Sequence, residues 1–283
     1  MFNLNNKSAI PPYFFWKRSR QENLNSFSSS IRNLLNHCEG RNNGFTLAEV
    51  LITLVIIGVI AALTVPTMIA KYQKQALTTA FKKSYSIVSQ AIAKSQMENG
   101  PLETWDFPSS VNNETTAQVV EKYILPYLQV AKNCKTESGK DCFSANTTYK
   151  KINGSDYQIV DSLDKRYRFV LNDGSLVSIE VVPNSCLTTA KKRCIIFQVD
   201  INGKKGPNQL GRDYFSFSAY PFTNNVMPDG TYDLYSSNRY DDAKKTWNRI
   251  PIERINQDCN PKGSGEGWLC AGKIMQEGWQ MNY

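Results

Sequence analysis

From Phe45 to Val65 the chain runs FTLAEVLITLVIIGVIAALTV, 21 residues with one charge, Glu49. A helix of that length rises roughly 30 Å, enough to cross the hydrocarbon core of a bilayer. No other stretch of the sequence is comparable, so the segment must be covered by lipid or by other apolar helices. A carboxylate in such a place is costly and usually functional. The basic stretch ahead of the run invites comparison with a secretory signal. Pro66-Thr67-Met68-Ile69-Ala70-Lys71 follows it, however, without a small-x-small cleavage site, and the run is longer than a usual signal core. A plain signal anchor is the bland alternative. Charge does not orient the segment, because Lys71, Lys74, Lys82 and Lys83 follow it closely.

Gly44-Phe45-Thr46-Leu47-Ala48-Glu49, continued by Val50-Leu51-Ile52, resembles the processing site of type IV prepilins and type II secretion pseudopilins. The resemblance implies that a membrane aspartyl peptidase cuts after Gly44 on the cytoplasmic side and methylates Phe45. It implies that the apolar helix stays on the mature protein. It assigns Glu49 as the assembly glutamate, and Gly58 and Pro66 as the helix glycine and kinking proline of such proteins. Cleavage would free an ammonium four residues before Glu49. Between apolar helices packed side by side an unpaired carboxylate is expensive. A neighbouring subunit's amine would neutralise it in a low-dielectric core. Such a pair adds little net stability but admits one axial stagger of neighbouring helices. The alternative is that Glu49 only snorkels to the membrane surface.

The implied leader is 44 residues, with six basic and two acidic residues, half of the chain's net charge of +8. It holds Pro11, Pro12, Phe14-Phe15-Trp16 and a Ser28–Ser30 run, and no domain pattern is evident in it. The +4 on the mature part is mild for a nucleic-acid binder.

Apolar positions continue past Pro66 at Leu77, Phe81, Tyr85, Val88 and Ile92, which marks one helical face. Pro66 is expected to bend the helix rather than end it, and Asn99-Gly100-Pro101 to stop it. The division expected is leader 1–44, membrane and assembly helix 45–66, amphipathic continuation 67–99, and a globular head 100–283. In the head, residues 102–113 read as loop. Thr115–Val130 reads as a short helix interrupted by Pro126, followed by a polar, turn-rich NCKTESGKDC. Arg166–Leu171 and SLVSIEVV around Asn172-Asp173-Gly174 read as a hairpin. Cys194–Ile201 reads as a third strand, with shorter strands near Tyr157, Tyr214–Phe217 and Thr231–Tyr235. The tail from Asp258 reads as loop-rich. The fold class is α+β: a long N-terminal helix packed on a small, mainly antiparallel sheet, pilin-like.

The mature part holds Cys134, Cys142, Cys186, Cys194, Cys259 and Cys270. Six cysteines allow fifteen connectivities; close spacing favours 134–142, 186–194 and 259–270. Each closed loop is worth roughly 2–3 kcal/mol in the chain-entropy model. A metal site is the weaker reading, without C-x-x-C and with the only histidine, His37, in the leader. Disulfides point to an oxidising compartment, while Cys38, in the leader, needs no partner. Val199–Phe215 is dense in Asp, Asn and Gly. Some pseudopilins bind calcium through head loops, and Asp200, Asn202 and Asp213 offer hard oxygen ligands. The stretch is not an EF-hand, Lys204 and Lys205 oppose a cation, and a structural turn is favoured over calcium. There is no G-x-S-x-G, Walker or H-E-x-x-H pattern, so no enzyme is expected. The aromatics Tyr214, Phe215, Phe217, Tyr220, Phe222, Tyr232, Tyr235 and Tyr240 read as sheet core or subunit contact rather than a single-stranded DNA surface.

The function expected is that of a filament subunit, pilus or pseudopilus. Its partners would be prepilin peptidase, an assembly platform with its ATPase, inner-membrane lipid, and its own or sibling copies. The resemblance places the helix in a bacterial inner membrane with the head in the periplasm, then in a filament or at the cell surface. A membrane-anchored binding module, capturing a ligand or DNA with its head, is the alternative.

Overall fold

The structure, a computed structural model, describes residues 44–137, 142–143, 148–157, 165–188, 193–232, 240–241 and 246–283. The expected leader (except Gly44) and most of Thr231–Tyr235 lie outside these. The chain divides into two units, residues 1–65 and 66–283. Helix α1, Leu47–Asn99, contributes to both and contains Pro66. It is long and apolar enough to cross a membrane. In the first unit its apolar side chains are exposed all round, Leu54, Ile57 and Leu63 among them. A helix apolar on every side is not a water-facing surface helix. α1 ends where the sequence predicts, with Gly100 at φ +82° just beyond Asn99, the left-handed closure that favours glycine.

In the second unit α1 turns amphipathic and buries Phe81, Val88 and Ile92. They meet a six-stranded sheet in the order β1-β4-β5-β6-β7-β8, antiparallel throughout. Its strands are β1 Val130–Lys135, β4 Arg166–Leu171, β5 Leu176–Val181, β6 Ile195–Asp200, β7 Tyr214–Tyr220 and β8 Asn225–Pro228. β4 to β8 follow one another as a meander, and β1 pairs with β4 at the other edge. Two small hairpins, β2 Tyr149–Lys150 with β3 Asp156–Tyr157 and β9 Tyr240–Asp241 with β10 Thr246–Trp247, stand outside this sheet. Short helices α2 Asn113–Tyr123, α3 Ser185–Thr188, α4 Ile252–Asp258 and α5 Cys270–Gln276, with 3-10 turns at Leu102–Thr104 and Leu125–Tyr127, complete the described elements.

The two faces of the sheet differ in chemistry. Tyr167, Phe169, Ile179, Phe197, Phe215 and Phe217 share a core with Phe81, Val88 and Ile92 of α1. The opposite face is laid out in cross-strand rows. One row is Arg166, Glu180, Ile196 and Ser218; the next is Arg168, Ser178, Gln198 and Ser216; the third is Val170, Leu176, Asp200 and Tyr214. The alternation of RYRFVL reads as core on one side and water on the other. Yet Arg166, Arg168, Ser178 and Gln198 are buried. They are covered because the chain returns across this face: Tyr149 of β2 packs on Tyr214 at 4.8 Å between ring centres, and Trp268 and Leu269 close over Gln198 and Ser216.

Several elements differ from the sequence expectation, β1, β8 and α5 among them. Residues 130–135 form strand β1, where only Cys134 is buried, so an edge strand rich in lysine carries no hydrophobic alternation. β8 is short and ends in Pro228, at the side of the sheet that α5 covers. The tail is not only loop: α5 fits there because its Gly272 presses on the backbone of Gly230, where a Cβ would meet Gly230 at 2.3 Å. Gly272 N–H donates to the Asp229 carbonyl at 2.8 Å.

Phe81 has no exposed surface and stands 4.3 Å from Phe215, 5.4 Å from Phe217 and 5.6 Å from Trp279, ring centre to ring centre. Phe81→Ala is expected to cost about 3–5 kcal/mol of head stability, read from urea unfolding of the detergent-solubilised chain by near-UV circular dichroism.

Candidate functional site

Gly44, Phe45 and Thr46 are exposed coil immediately ahead of α1. Nothing lies within 4 Å of a Cβ built on Gly44, and Phe45 is 86% exposed. Both residues of the Gly44–Phe45 peptide are thus exposed among the described residues. Thr46 then opens the helix. Its backbone N–H and hydroxyl both donate to Glu49 Oε2, at 2.8 and 2.9 Å, and Glu49 N–H donates back to Thr46 Oγ1 at 3.2 Å. This is a reciprocal capping box. Its T-x-x-E signature stands in the sequence, and the reading of Glu49 as an assembly residue passed over Thr46. Glu49 Oε1 makes no hydrogen bond among the described residues, so one oxygen holds the helix start while the other faces outward.

The remaining polar groups of the apolar stretch are satisfied inside the helix. Thr53 and Thr64 hydroxyls donate to the carbonyls of Val50 and Ile60, each at 2.9 Å. That removes the cost of taking a hydroxyl into hydrocarbon. Gly58 faces open space, leaving a shallow place where another helix can approach. Pro66 lies within α1 and has no N–H to give to the carbonyl of Ala62.

In the head the cysteines are bonded as Cys134–Cys142, Cys186–Cys194 and Cys259–Cys270. Among the described residues the one cluster of three potential metal ligands is Asp258, Cys259 and Cys270, and its two thiols are tied to each other.

Asp200, at the end of β6, and Asn202 and Asp213, in the β6–β7 loop, are gathered into one knot. Asp213 accepts from the backbone N–H of Asn208 and Gln209, at 2.8 and 2.6 Å, and from the Asn202 amide at 3.2 Å. Asp200 accepts from the Tyr149 hydroxyl and from Asn202 N–H. These carboxylates hold the loop by accepting hydrogen bonds from its own backbone. The amide oxygens of Asn202 and Asn208 are buried without a donor. Burial raises the carboxyl of Asp200 to about 8, with the neighbouring charge of Asp213 adding to the effect, and burial also raises Asp213. Tyr149 and Asn208 are members of this knot that the sequence reading missed; Tyr149 lies 51 residues from Asp200, and only the folded sheet brings them together.

Tyr214, Phe215, Phe217 and Tyr220 are each at most 2% exposed. They belong to the packed interior and offer no ring on which a base could stack. Tyr235 and the side chain of Tyr240 lie outside the described residues.

An exposed glycine-phenylalanine junction, a capped apolar helix carrying one acid, and an antiparallel sheet packed on the helix's second half define a pilin-like protein with a prepilin-type processing signal. The model of the prokaryotic N-terminal methylation motif matches residues 40–65. A family of unknown function (DUF6613) matches residues 67–283, and the chain belongs to that family. No curated protein and no solved structure matches the chain.

The raised carboxyl of Asp200 sets a sign for pH. In the unfolded chain it titrates near its ordinary 3.8, and in the fold near 8, so between these values the native state holds the extra proton. Its contribution is complete below about pH 4 and is lost as pH rises to about 8. Urea midpoints in EDTA should therefore be higher at pH 5 than at pH 8, and Asp200→Asn should flatten that difference.

Proposed function

We propose that this chain is a structural subunit of a pilus or type II secretion pseudopilus, cut by prepilin peptidase after Gly44, methylated at Phe45, and polymerised through α1. The match of the methylation motif to residues 40–65 carries the reading. The exposed Gly44–Phe45 junction and the all-round apolar surface of residues 47–65 support it. Before assembly that surface is covered by inner-membrane lipid, with the disulfide-bonded head in the periplasm. After extraction by an assembly platform and its ATPase, the same surface is covered by neighbouring copies or sibling subunits.

Glu49 is given two tasks in this reading. Oε2 caps its own helix through Thr46, and Oε1 receives the N-methylated amine of a neighbouring Phe45. Attraction in a low-dielectric core makes the second contact strong, and only one stagger permits it. Mass spectrometry of protein from native cells should find N-methyl-Phe45 as the first residue; a chain still beginning upstream of Gly44 would refute the proposal. Glu49→Gln should be processed normally and remain in the membrane fraction while sheared filaments lose it.

For the β6–β7 loop we propose a structural role, since the carboxylate oxygens of Asp200 and Asp213 are already engaged by the chain. Calcium is the competing proposal, resting on the two donorless amide oxygens of Asn202 and Asn208. Adding calcium to EDTA-treated protein should leave the melting temperature unchanged; a rise of several degrees, abolished by Asp213→Asn, would assign the loop to calcium instead.

A further inference from the structure

On the sheet face turned away from α1 there is a cavity of about 170 Å³. A cavity of about 150 Å³ in another protein encloses one benzene ring; a hexopyranose has twice as many heavy atoms, so here it would enter by one face and edge and leave its other hydroxyls at the open rim. Its floor is polar and buried: Arg166, Gln198 and Ser216 are 7%, 5% and 2% exposed. Its sides are aromatic and aliphatic. Tyr157 meets Trp268 edge to face at 5.3 Å, and Tyr232, Ile250 and Leu269 complete the wall. Trp268 is fixed by donating Nε1–H to Glu266 at 3.1 Å.

The cavity's charges are already balanced. Arg166 pairs with Glu180, and Arg193 pairs with Asp229 at 2.9 Å. Asp229 also accepts from Ser216 and Ser218, each at 2.6 Å. A phosphate or carboxylate brought against Arg166 or Arg193 would also lie beside Glu180 and Asp229, and a cation beside the two arginines. Either meets a like charge in a partly buried site. A charged ligand is therefore disfavoured.

The polar groups left over are neutral-ligand groups. Gln198 Oε1 accepts from both Arg166 and Tyr214, which fixes the orientation of the amide. Its Nε2 donates to nothing among the described residues, although the residue is nineteen-twentieths buried. Arg166 makes two side-chain hydrogen bonds of the five its guanidinium can donate. At the rim, Glu180 is 39% exposed; its Oε2 holds Arg166, and Oε1 has no partner among the described residues. The Tyr157 hydroxyl likewise has none. Donors and acceptors are thus interleaved around an aromatic wall.

We propose that this cavity binds one neutral hexopyranose ring, free or at the end of a glycan. A pyranose presents a flat C–H face to an aromatic ring and an edge of hydroxyls, each able to donate and accept. Buried groups built to hydrogen-bond hydroxyls reject a ligand that lacks them, and the paired charges reject its acidic derivatives. This site is independent of processing at Gly44 and of assembly, so its test stands whether or not the chain polymerises.

The test uses the full chain in detergent, titrated with methyl glucoside, galactoside and mannoside and with N-acetylglucosamine, alongside glucuronate and inorganic phosphate. Binding is read by saturation-transfer NMR and tryptophan fluorescence. At least one neutral sugar should bind at millimolar concentration, while glucuronate and phosphate do not compete. Tyr157→Ala should weaken that binding about tenfold in protein whose near-UV circular dichroism shows the head still folded. Glu180→Gln keeps the side chain's shape and removes the charge paired with Arg166, so it should move preference toward glucuronate. Oligosaccharides ending in the preferred sugar that bind more tightly than the free sugar identify a glycan; equal affinity identifies the free sugar. The proposal is overturned if no neutral sugar binds, if wild-type protein prefers glucuronate or phosphate, or if Tyr157→Ala leaves binding intact.

Discussion

The packing of Phe81 on Phe215 and Phe217 is the contact around which the core of the head is arranged. Large aromatic side chains each remove some 150–250 Å² from water, and here rings on one helix meet rings on a central strand. Around that contact the helix face of Val88 and Ile92 finds Phe197, Ile179 and Phe169 on successive strands. Tyr85 adds a directional tie, its hydroxyl donating to the carbonyl of Val226 at 3.0 Å. Gln96 adds another, to Asn224 at 2.9 Å. The helix therefore meets the sheet through apolar area and is tied to the β7–β8 end by these two hydrogen bonds.

One continuous helix serves two solvents. Residues 47–65 are apolar on every side, and from Phe81 onward one stripe is apolar and the rest is wet. The change of pattern falls near Pro66, the boundary between the two units. The capping box at Thr46 and Glu49 gives the apolar half a defined beginning. That matters because a helix entering hydrocarbon must satisfy its first N–H groups from within the chain. The same carboxylate is the only charged side chain of residues 45–65.

The far face of the sheet shows what a buried polar layer demands. Every row there is cross-linked: Arg166 to Glu180 and Gln198, Gln198 to Tyr214, Asp229 to Ser216, Ser218 and Arg193. Buried polar groups left without partners are expensive, and a connected network specifies one arrangement of the covering segments. Gly230 and Gly272 permit the close approach that lets α5 pin the Asp229 carbonyl. The cavity lies against that network, walled by Tyr157, Trp268 and Leu269.

Local chemistry was readable from the residues in order. The Gly44–Glu49 signature, the helix ending at Gly100, the Asn172-Asp173-Gly174 hairpin and strands β6 and β7 all announce themselves within a few neighbours, because periodicity and turn chemistry are short-range. Strand β1 was hidden because an edge strand buries little. The knot of Tyr149 with Asp200, the network on the far face, and the cavity walled by Tyr157 and Trp268 were hidden because each joins residues distant in sequence. Whether the arginines of RYRFVL meet water or carboxylates depends on what lies over the sheet, and that is decided by packing. The sequence alone determined an apolar helix with one acid behind a prepilin-type glycine-phenylalanine signature, since these depend on residues within a turn or two. Tertiary structure alone decided that the polar face of the head is enclosed, since burial depends on segments as distant in sequence as Tyr149 and Trp268 meeting over it.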